Sequence, residues 1–321
     1  MSKAETTQSV ASPPEFSVII TCYYEEASID EFHARLTAAM EGTGRSFEII
    51  FVNDGSTDGT FEKLKAIHAR DTRVSTVADL FRNTGQVCAM SCGVALAQGR
   101  SFIFMDSDLQ LDPEELPRLI GAFDEGQDIV SGYRAERQDS LLRTMPSRLA
   151  NVIMRRVARH PLRDFGCTFK VYRGELVRAF GFGPHKPWQT AYVFAQAGRV
   201  KEIPVSHHPR RHGRSGWSML RLSAFLIDHL VGVSYRPFQL LSALCFVAAF
   251  LLLARIAIAW AVPFSVLPAV TPGLILNAVA LHLLVSLAVL SAIGEYVIRS
   301  FVALRRDPIY VIRELIRRDA P

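Results

Sequence analysis

Apolar residues are spread very unevenly along this 321-residue chain, and that asymmetry restricts its fold more than any other feature. Two stretches, Pro237 to Val262 and Gly273 to Ile298, are nearly free of charge. The first holds only Arg255, near enough to an end to snorkel; the second holds His282 and, close to its end, Glu295. Each is long enough to cross a bilayer core at about 1.5 Å rise per residue. Buried core helices are the alternative, but two adjacent helices this apolar would need a large protein around them. Arg221 and Arg236 flank the first stretch, Arg299, Arg305, Arg306, Arg313, Arg317 and Arg318 follow the second, and the intervening loop is uncharged. The positive-inside rule then puts both flanks in the cytoplasm and the loop outside. The pattern predicts a two-helix transmembrane hairpin over 237–298 and a basic cytoplasmic tail over 299–321. The mixed apolar and polar segment 219–236 predicts an interfacial amphipathic helix.

The remainder reads differently. Residues 1–15 are polar and Pro-containing, without the apolar core of a signal peptide, and predict a disordered leader. From Phe16 to about Ser218, short runs rich in Val, Ile and Phe alternate with helical patterns. Strands are expected at 16–22, 48–53, 74–77, 101–105 and 128–132. Helices are expected from a Ser28/Glu31 capping box to Glu41, from Asp58 to Arg70, over about 84–98, and after Asp112-Pro113. This is the signature of an α/β domain: a mostly parallel, Rossmann-like sheet with helices on both faces. Five cysteines without metal-type CxxC spacing argue against a zinc ribbon or a disulfide scaffold and for a reducing compartment. The net charge of +5 is too modest to name a partner by itself.

In an open parallel sheet, ligands bind at the carboxyl ends of the strands. Here those ends carry Tyr23-Tyr24-Glu25-Glu26, Asn53-Asp54-Gly55-Ser56 and Asp106-Ser107-Asp108-Leu109-Gln110. A rim so acidic would repel phosphates unless a divalent cation mediated, and Mg²⁺ is typically held by one or two carboxylates plus substrate phosphate oxygens. Each motif alone has a bland reading, a turn or a helix cap. Their order does not: strand-end acids, NDGSTDGT, RNTGQ, then a strand running into DSDLQ.

Together they resemble family 2 glycosyltransferases with the GT-A fold. The segments RQDSLLRTMPSRLAN (137–151), DFGCTFKVYR (164–173), IPVSHHPRRHGRSGW (203–217) and GEYVIRSFVALRRDPIYV (294–311) narrow the resemblance. They are similar to those of bacterial polyprenyl-phosphate glycosyltransferases, the undecaprenyl-phosphate glucosyl- and formamido-arabinosyltransferases and their dolichol-phosphate mannose synthase relatives. Departures occur where the usual P-x-Y-N-E is Thr21-Cys22-Tyr23-Tyr24-Glu25 and the usual S-K-Y is Ser215-Gly216-Trp217.

The resemblance implies inverting transfer of a sugar from a nucleotide diphosphate sugar, UDP-linked by expectation, to undecaprenyl or another polyprenyl phosphate. It implies Mg²⁺ or Mn²⁺ on Asp106 and Asp108, with Gln110 as a further ligand. Tyr23, Glu25, Asp54, Asp79, Arg82, Gln86, Asp106, Arg210 and Ser215 are the expected donor contacts. Arg134, Arg143 and Ser147 are expected to bind the acceptor phosphate. Asp164 is expected to act near C1, as the base or by orienting the acceptor or the sugar, and Asp108 joins it as a catalytic residue through the metal. The implied setting is a bacterial inner membrane, as a multi-pass homo-oligomer such as a tetramer with its catalytic domain in the cytosol. Competing readings are a processive polysaccharide synthase, which usually carries a Q-x-x-R-W segment absent from this chain, and a non-catalytic membrane scaffold. Nucleic acid is not an expected partner, because the basic residues lack interleaved stacking aromatics.

Overall fold

The computed structural model describes residues 12–135, 160–209, 272–305 and 307–318, with isolated positions at 155, 158, 244, 247, 250 and 251. The chain divides into two compact units: residues 1–217 with 308–321, and residues 218–307.

The first unit is built on an eight-stranded sheet. In chain order its strands are β1 (Phe16–Cys22), β2 (Phe47–Asn53), β3 (Val74–Leu80), β4 (Ser101–Asp106), β5 (Ile129–Arg134), β6 (Lys170–Arg173), β7 (Val200–Val205) and β8 (Ile312–Arg317), arranged in space as β7-β5-β6-β4-β1-β2-β3-β8. The central β4-β1-β2-β3 ladder is parallel, whereas β6 and β8 run antiparallel to their neighbours. Helices α1 (Ile29–Glu41), α2 (Thr60–Arg70), α3 (Gln86–Leu96) and α4 (Leu116–Asp124) cover the sheet.

Continuous apolar strands are what a sheet covered on both faces requires, and the period of two divides them. Val18, Ile20, Ile49 and Phe51 pack with Phe32 and Leu36 of α1, Leu64 of α2 and Leu119 of α4. Their neighbours Ile19, Ile50 and Val52 point the other way, into a second cluster with Met90 and Cys92 of α3, Phe104, Tyr172 and Trp188. Gly93 lets α3 lie against β1: a Cβ there would stand 2.2 Å from Ile19 Cγ2.

Register then places the functional rim. Thr21 lies opposite Asp106, Cys22 opposite Asn53, and Asn53 opposite Asp79, so β1 to β4 end together. The chain leaves β1 for β2 and β3 on one side and returns to β4 on the other, which makes the β1/β4 boundary the point where strand order reverses.

Several expectations change. Ser28 does not close a capping box; its hydroxyl turns back and donates to Glu25 Oε2 at 2.5 Å. Within the leader, Pro14 and Glu15 are already tied down: Arg100 N donates to the Pro14 carbonyl at 2.9 Å, and Glu15 pairs with Arg45 at 2.8 Å. The largest change concerns 299–321. Residues 312–317 form a strand rather than a tail, pairing antiparallel with β3. Tyr310, Ile312 and Ile316 supply the apolar anchors, and an otherwise open sheet edge is covered.

In the second unit, a helix runs from Pro272 to Arg305. Its Ala278–Ile298 portion, with mean hydropathy 1.9, is long and apolar enough to cross a membrane, and it is the one such helix among the described residues. The expected partner span, 237–262, lies outside the described residues except for the helical positions Leu244, Val247, Phe250 and Leu251. The interfacial segment 219–236 lies wholly outside them.

Candidate active site

Asp106 ends β4, and both of its oxygens are gripped. Gln86 Nε2 donates to Oδ1 and Thr168 Oγ1 to Oδ2, each at 2.6 Å. Burial, and then the negative charge of Asp108, push the Asp106 carboxyl up to about 6 against those two hydrogen bonds. Asp108 follows on a turn held by Ser107 Oγ, which donates to the Thr21 carbonyl at 3.1 Å, and by a left-handed Leu109 at φ 55°. Asp108 Oδ1 accepts from the Gln110 N–H at 3.2 Å. Gln110 itself faces the segment leaving β7: its Nε2 donates to the His208 carbonyl at 3.3 Å, and its own carbonyl accepts from His208 N at 2.8 Å. No third His, Cys, Asp or Glu joins the acid pair to form a closed metal cage among the described residues. An acid pair in which the charge of Asp108 opposes that of Asp106 fits a hard cation which completes its shell with ligand oxygens and water.

The other rim residues are positioned by one another. Tyr23 and Tyr24 sit edge to face at 4.4 Å, both exposed, with Tyr24 left-handed at φ 59°. Ser56 Oγ accepts from Tyr24 N at 3.1 Å, and the Tyr24 hydroxyl meets Thr57 Oγ1 at 2.8 Å, so the ends of β1 and β2 are joined. Asp54 is buried. Its Oδ1 accepts from Thr84 N and Oγ1, and its Oδ2 from Gly85 N, all within 2.9 Å, so its carboxylate fixes the turn that starts α3. Asp79 is buried too, accepting from Asn53 Nδ2 at 2.7 Å and facing Arg313 Nη1 at 3.3 Å. Arg82 is exposed on the turn that crosses Gly55.

Gly55 combines a positive φ of 69° with a close approach: a Cβ would lie 2.3 Å from the Arg82 carbonyl carbon. Gly55→Ala is therefore expected to destabilise the domain by about 2 kcal/mol, adding overpacking to left-handed strain, and to lower the melting temperature by roughly 5 °C. Thermal unfolding followed by intrinsic fluorescence checks this.

On the far side of β4, Arg134 and Asp164 form a bidentate pair. Arg134 Nε is 2.6 Å from Oδ2 and Nη2 is 2.9 Å from Oδ1, and the Arg134 N–H also donates to Oδ2 at 3.3 Å. Asp164 lies in the irregular stretch before β6, next to the turn at 165–166. The same segment reaches the acid pair through Thr168. Beneath it lies Lys170, fully buried, its ammonium donating to the Phe165 carbonyl at 3.3 Å and held below the ordinary lysine value by burial.

The structure thus brings together Asp106, Asp108, Gln86 and, through 164–168, Asp164 and Arg134. Glu25, Asp54 and Asp79 lie on the same rim with their carboxylates engaged by protein groups. Arg143, Ser147, Arg210 and Ser215 lie outside the described residues. Sequence reasoning gave no site role to Thr168, Lys170 or Arg313, and placed Asn53 on the rim without assigning it a partner. The available signal for Lys170 was a lysine between Phe169 and Val171, a charge inside a strand-like apolar run.

A sheet with this topology, ending in an acid pair clamped beside an arginine–carboxylate pair, has the GT-A-like architecture of a glycosyltransferase. The chain belongs to glycosyl transferase family 2, whose model matches residues 17–181. It is 35% identical to the undecaprenyl-phosphate 4-deoxy-4-formamido-L-arabinose transferase of Pseudomonas aeruginosa (strain LESB58) over 314 residues, 94% of this chain and 90% of that one. It is 31% identical to the transferase of the same name from Edwardsiella ictaluri (strain 93-146) over 310 residues, 95% of each chain. Among solved structures it shares its fold with glucosyl-3-phosphoglycerate synthase from Mycobacterium tuberculosis in complex with Mn²⁺, UDP and phosphoglyceric acid. That match has a TM-score of 0.51 at 18% identity and covers 68% of this chain and 76% of that chain.

Proposed function

We propose that this glycosyltransferase moves a sugar, with inversion, from a UDP-linked donor to undecaprenyl or another polyprenyl phosphate. The product is a lipid-linked monosaccharide for a cell-envelope glycan or lipid A modification. The observation that carries the reading is the 164–168 segment, which binds the acid pair at one end through Thr168 and Arg134 at the other through Asp164. One short peptide thereby couples a diphosphate-facing site to a phosphate-facing one.

Asp106 and Asp108 would hold Mg²⁺ or Mn²⁺, which when bound acts as a Lewis acid on the departing diphosphate. Gln86 and Thr168 keep Asp106 aimed and favour its ionised form despite burial. Arg134, its Nε and Nη2 held by Asp164, would bring the positive charge of its guanidinium fork to an anionic acceptor. Asp164 holds that fork in place and orients the acceptor; a phosphate monoester, already largely ionised near neutral pH, needs no strong base. Lys170 offsets the carboxylates from below.

The apolar Ala278–Ile298 helix supports anchoring in a bilayer, read here as one arm of a hairpin in the bacterial inner membrane with the catalytic unit in the cytosol. Self-association through the membrane helices completes the picture. The test is to incubate membranes containing the chain with undecaprenyl phosphate, Mg²⁺ or Mn²⁺, and a panel of UDP- and GDP-sugars that includes UDP-4-deoxy-4-formamido-L-arabinose. One donor should yield a metal-dependent, lipid-extractable sugar phosphate. No product from any donor refutes the proposal.

A further inference from the structure

Arg313 lies on β8, in the stretch whose charges suggest only a basic tail. Antiparallel pairing sets Glu314 opposite Asp79 and Ile312 opposite Leu80. The Arg313 side chain therefore falls at the carboxyl end of β3. Its Nη1 is 3.3 Å from Asp79 Oδ2, its Nη2 donates to the Phe81 carbonyl at 2.6 Å, and its guanidinium carbon stands 5.5 Å from the centre of the Phe81 ring. Asp79 is 1% exposed, and its other oxygen is taken by Asn53, so it presents nothing to a ligand. Arg313 and Phe81 do: their exposures are 49% and 57%. At this point of an acidic rim, the accessible group is a cation on an aromatic face, aimed by a buried carboxylate.

We propose that Arg313 is a donor-binding residue that contacts the nucleoside of the nucleotide sugar, with Asp79 as its positioning residue. The inference rests on the nucleotide-sugar reading given above. The base and ribose of a nucleoside present carbonyl and hydroxyl oxygens, acceptors that match a guanidinium with N–H groups beyond those spent on Asp79 and Phe81. Contact with Phe81 fixes the plane of the fork, so little freedom is lost on binding. Position selects the nucleoside over the phosphates. β3 lies three interstrand spacings, roughly 14 Å, from β4, where the acid pair would hold the diphosphate.

The experiment measures binding of UDP, GDP and pyrophosphate, each with Mn²⁺, to the full chain in nanodiscs. It compares wild type, Arg313→Ala and Arg313→Gln, with a melting curve for each. Arg313→Ala should weaken the preferred nucleoside diphosphate about tenfold or more, the effect of a lost charge-assisted hydrogen bond, and leave pyrophosphate unchanged. Arg313→Gln keeps a donor of similar reach and reports if the alanine variant does not fold; it should show a smaller loss of the same selective kind. Unchanged nucleoside diphosphate binding in both variants overturns the proposal. So does a parallel loss for pyrophosphate, which signals a structural role. If wild type binds neither UDP nor GDP, the donor reading itself fails, an outcome distinct from either.

Discussion

Asp108→Ala is expected to leave the chain folded and to remove transfer. Asp108 sits on the turn after β4, partly exposed and outside the apolar clusters, so truncating it opens no cavity and strands no buried apolar neighbour. What it removes is half of the carboxylate pair proposed to hold the cation. By analogy with a lost oxyanion donor, turnover should fall by roughly 10²–10³, about 3–4 kcal/mol of transition-state stabilisation. The measurement is the initial rate of lipid-linked product at saturating donor and metal, with a melting curve as the control for folding. A normal rate would remove Asp108 from the metal site. A matching fall in melting temperature and rate would make its role structural.

The second large effect belongs to Asp164. Its pair with Arg134 is mostly buried, with side-chain exposures of 9% and 18%, and bidentate. Deleting one partner of a buried pair costs about 3–5 kcal/mol because the other charge is left uncompensated. Arg134 keeps some contact with solvent, so the lower end of that range applies to Asp164→Ala. Asp164→Asn is the cleaner probe, since it preserves shape and one acceptor oxygen while releasing the fork. Loss of orientation at the proposed acceptor phosphate should lower kcat about a hundredfold. The polyprenyl-phosphate KM should rise while the donor KM stays put. Unchanged acceptor kinetics in Asp164→Asn would separate this pair from the acceptor.

The parallel core was readable because its determinants are local. FSVIITC, FEIIFVN and SFIFMD are apolar on both faces through their centres, and only a two-sided sheet accommodates that. The rim followed from the topology, since whatever succeeds such strands must cluster. Which rim side chains face outward was not readable. Asp54 and Asp79 look like ligand-binding acids in sequence, yet each is consumed by protein donors, because Thr84, Gly85, Asn53 and Arg313 arrive from segments that no spacing rule connects to them. Gln86, expected as a donor contact, lies on this rim with its amide on Asp106. β8 was missed for the same reason: six residues of mixed charge after a long apolar helix carry no strand signal of their own, and their partner lies more than 200 positions away.

The return of the chain to the edge of β3 has a consequence for biogenesis. As the polypeptide leaves the ribosome, β3 must wait with an unpaired flank until residues 312–317 have been made, after the apolar helix. The catalytic sheet therefore finishes assembling only once the hydrophobic segment has been synthesised. A nascent chain stalled before that point would expose a sticky strand border to chaperones and to other copies.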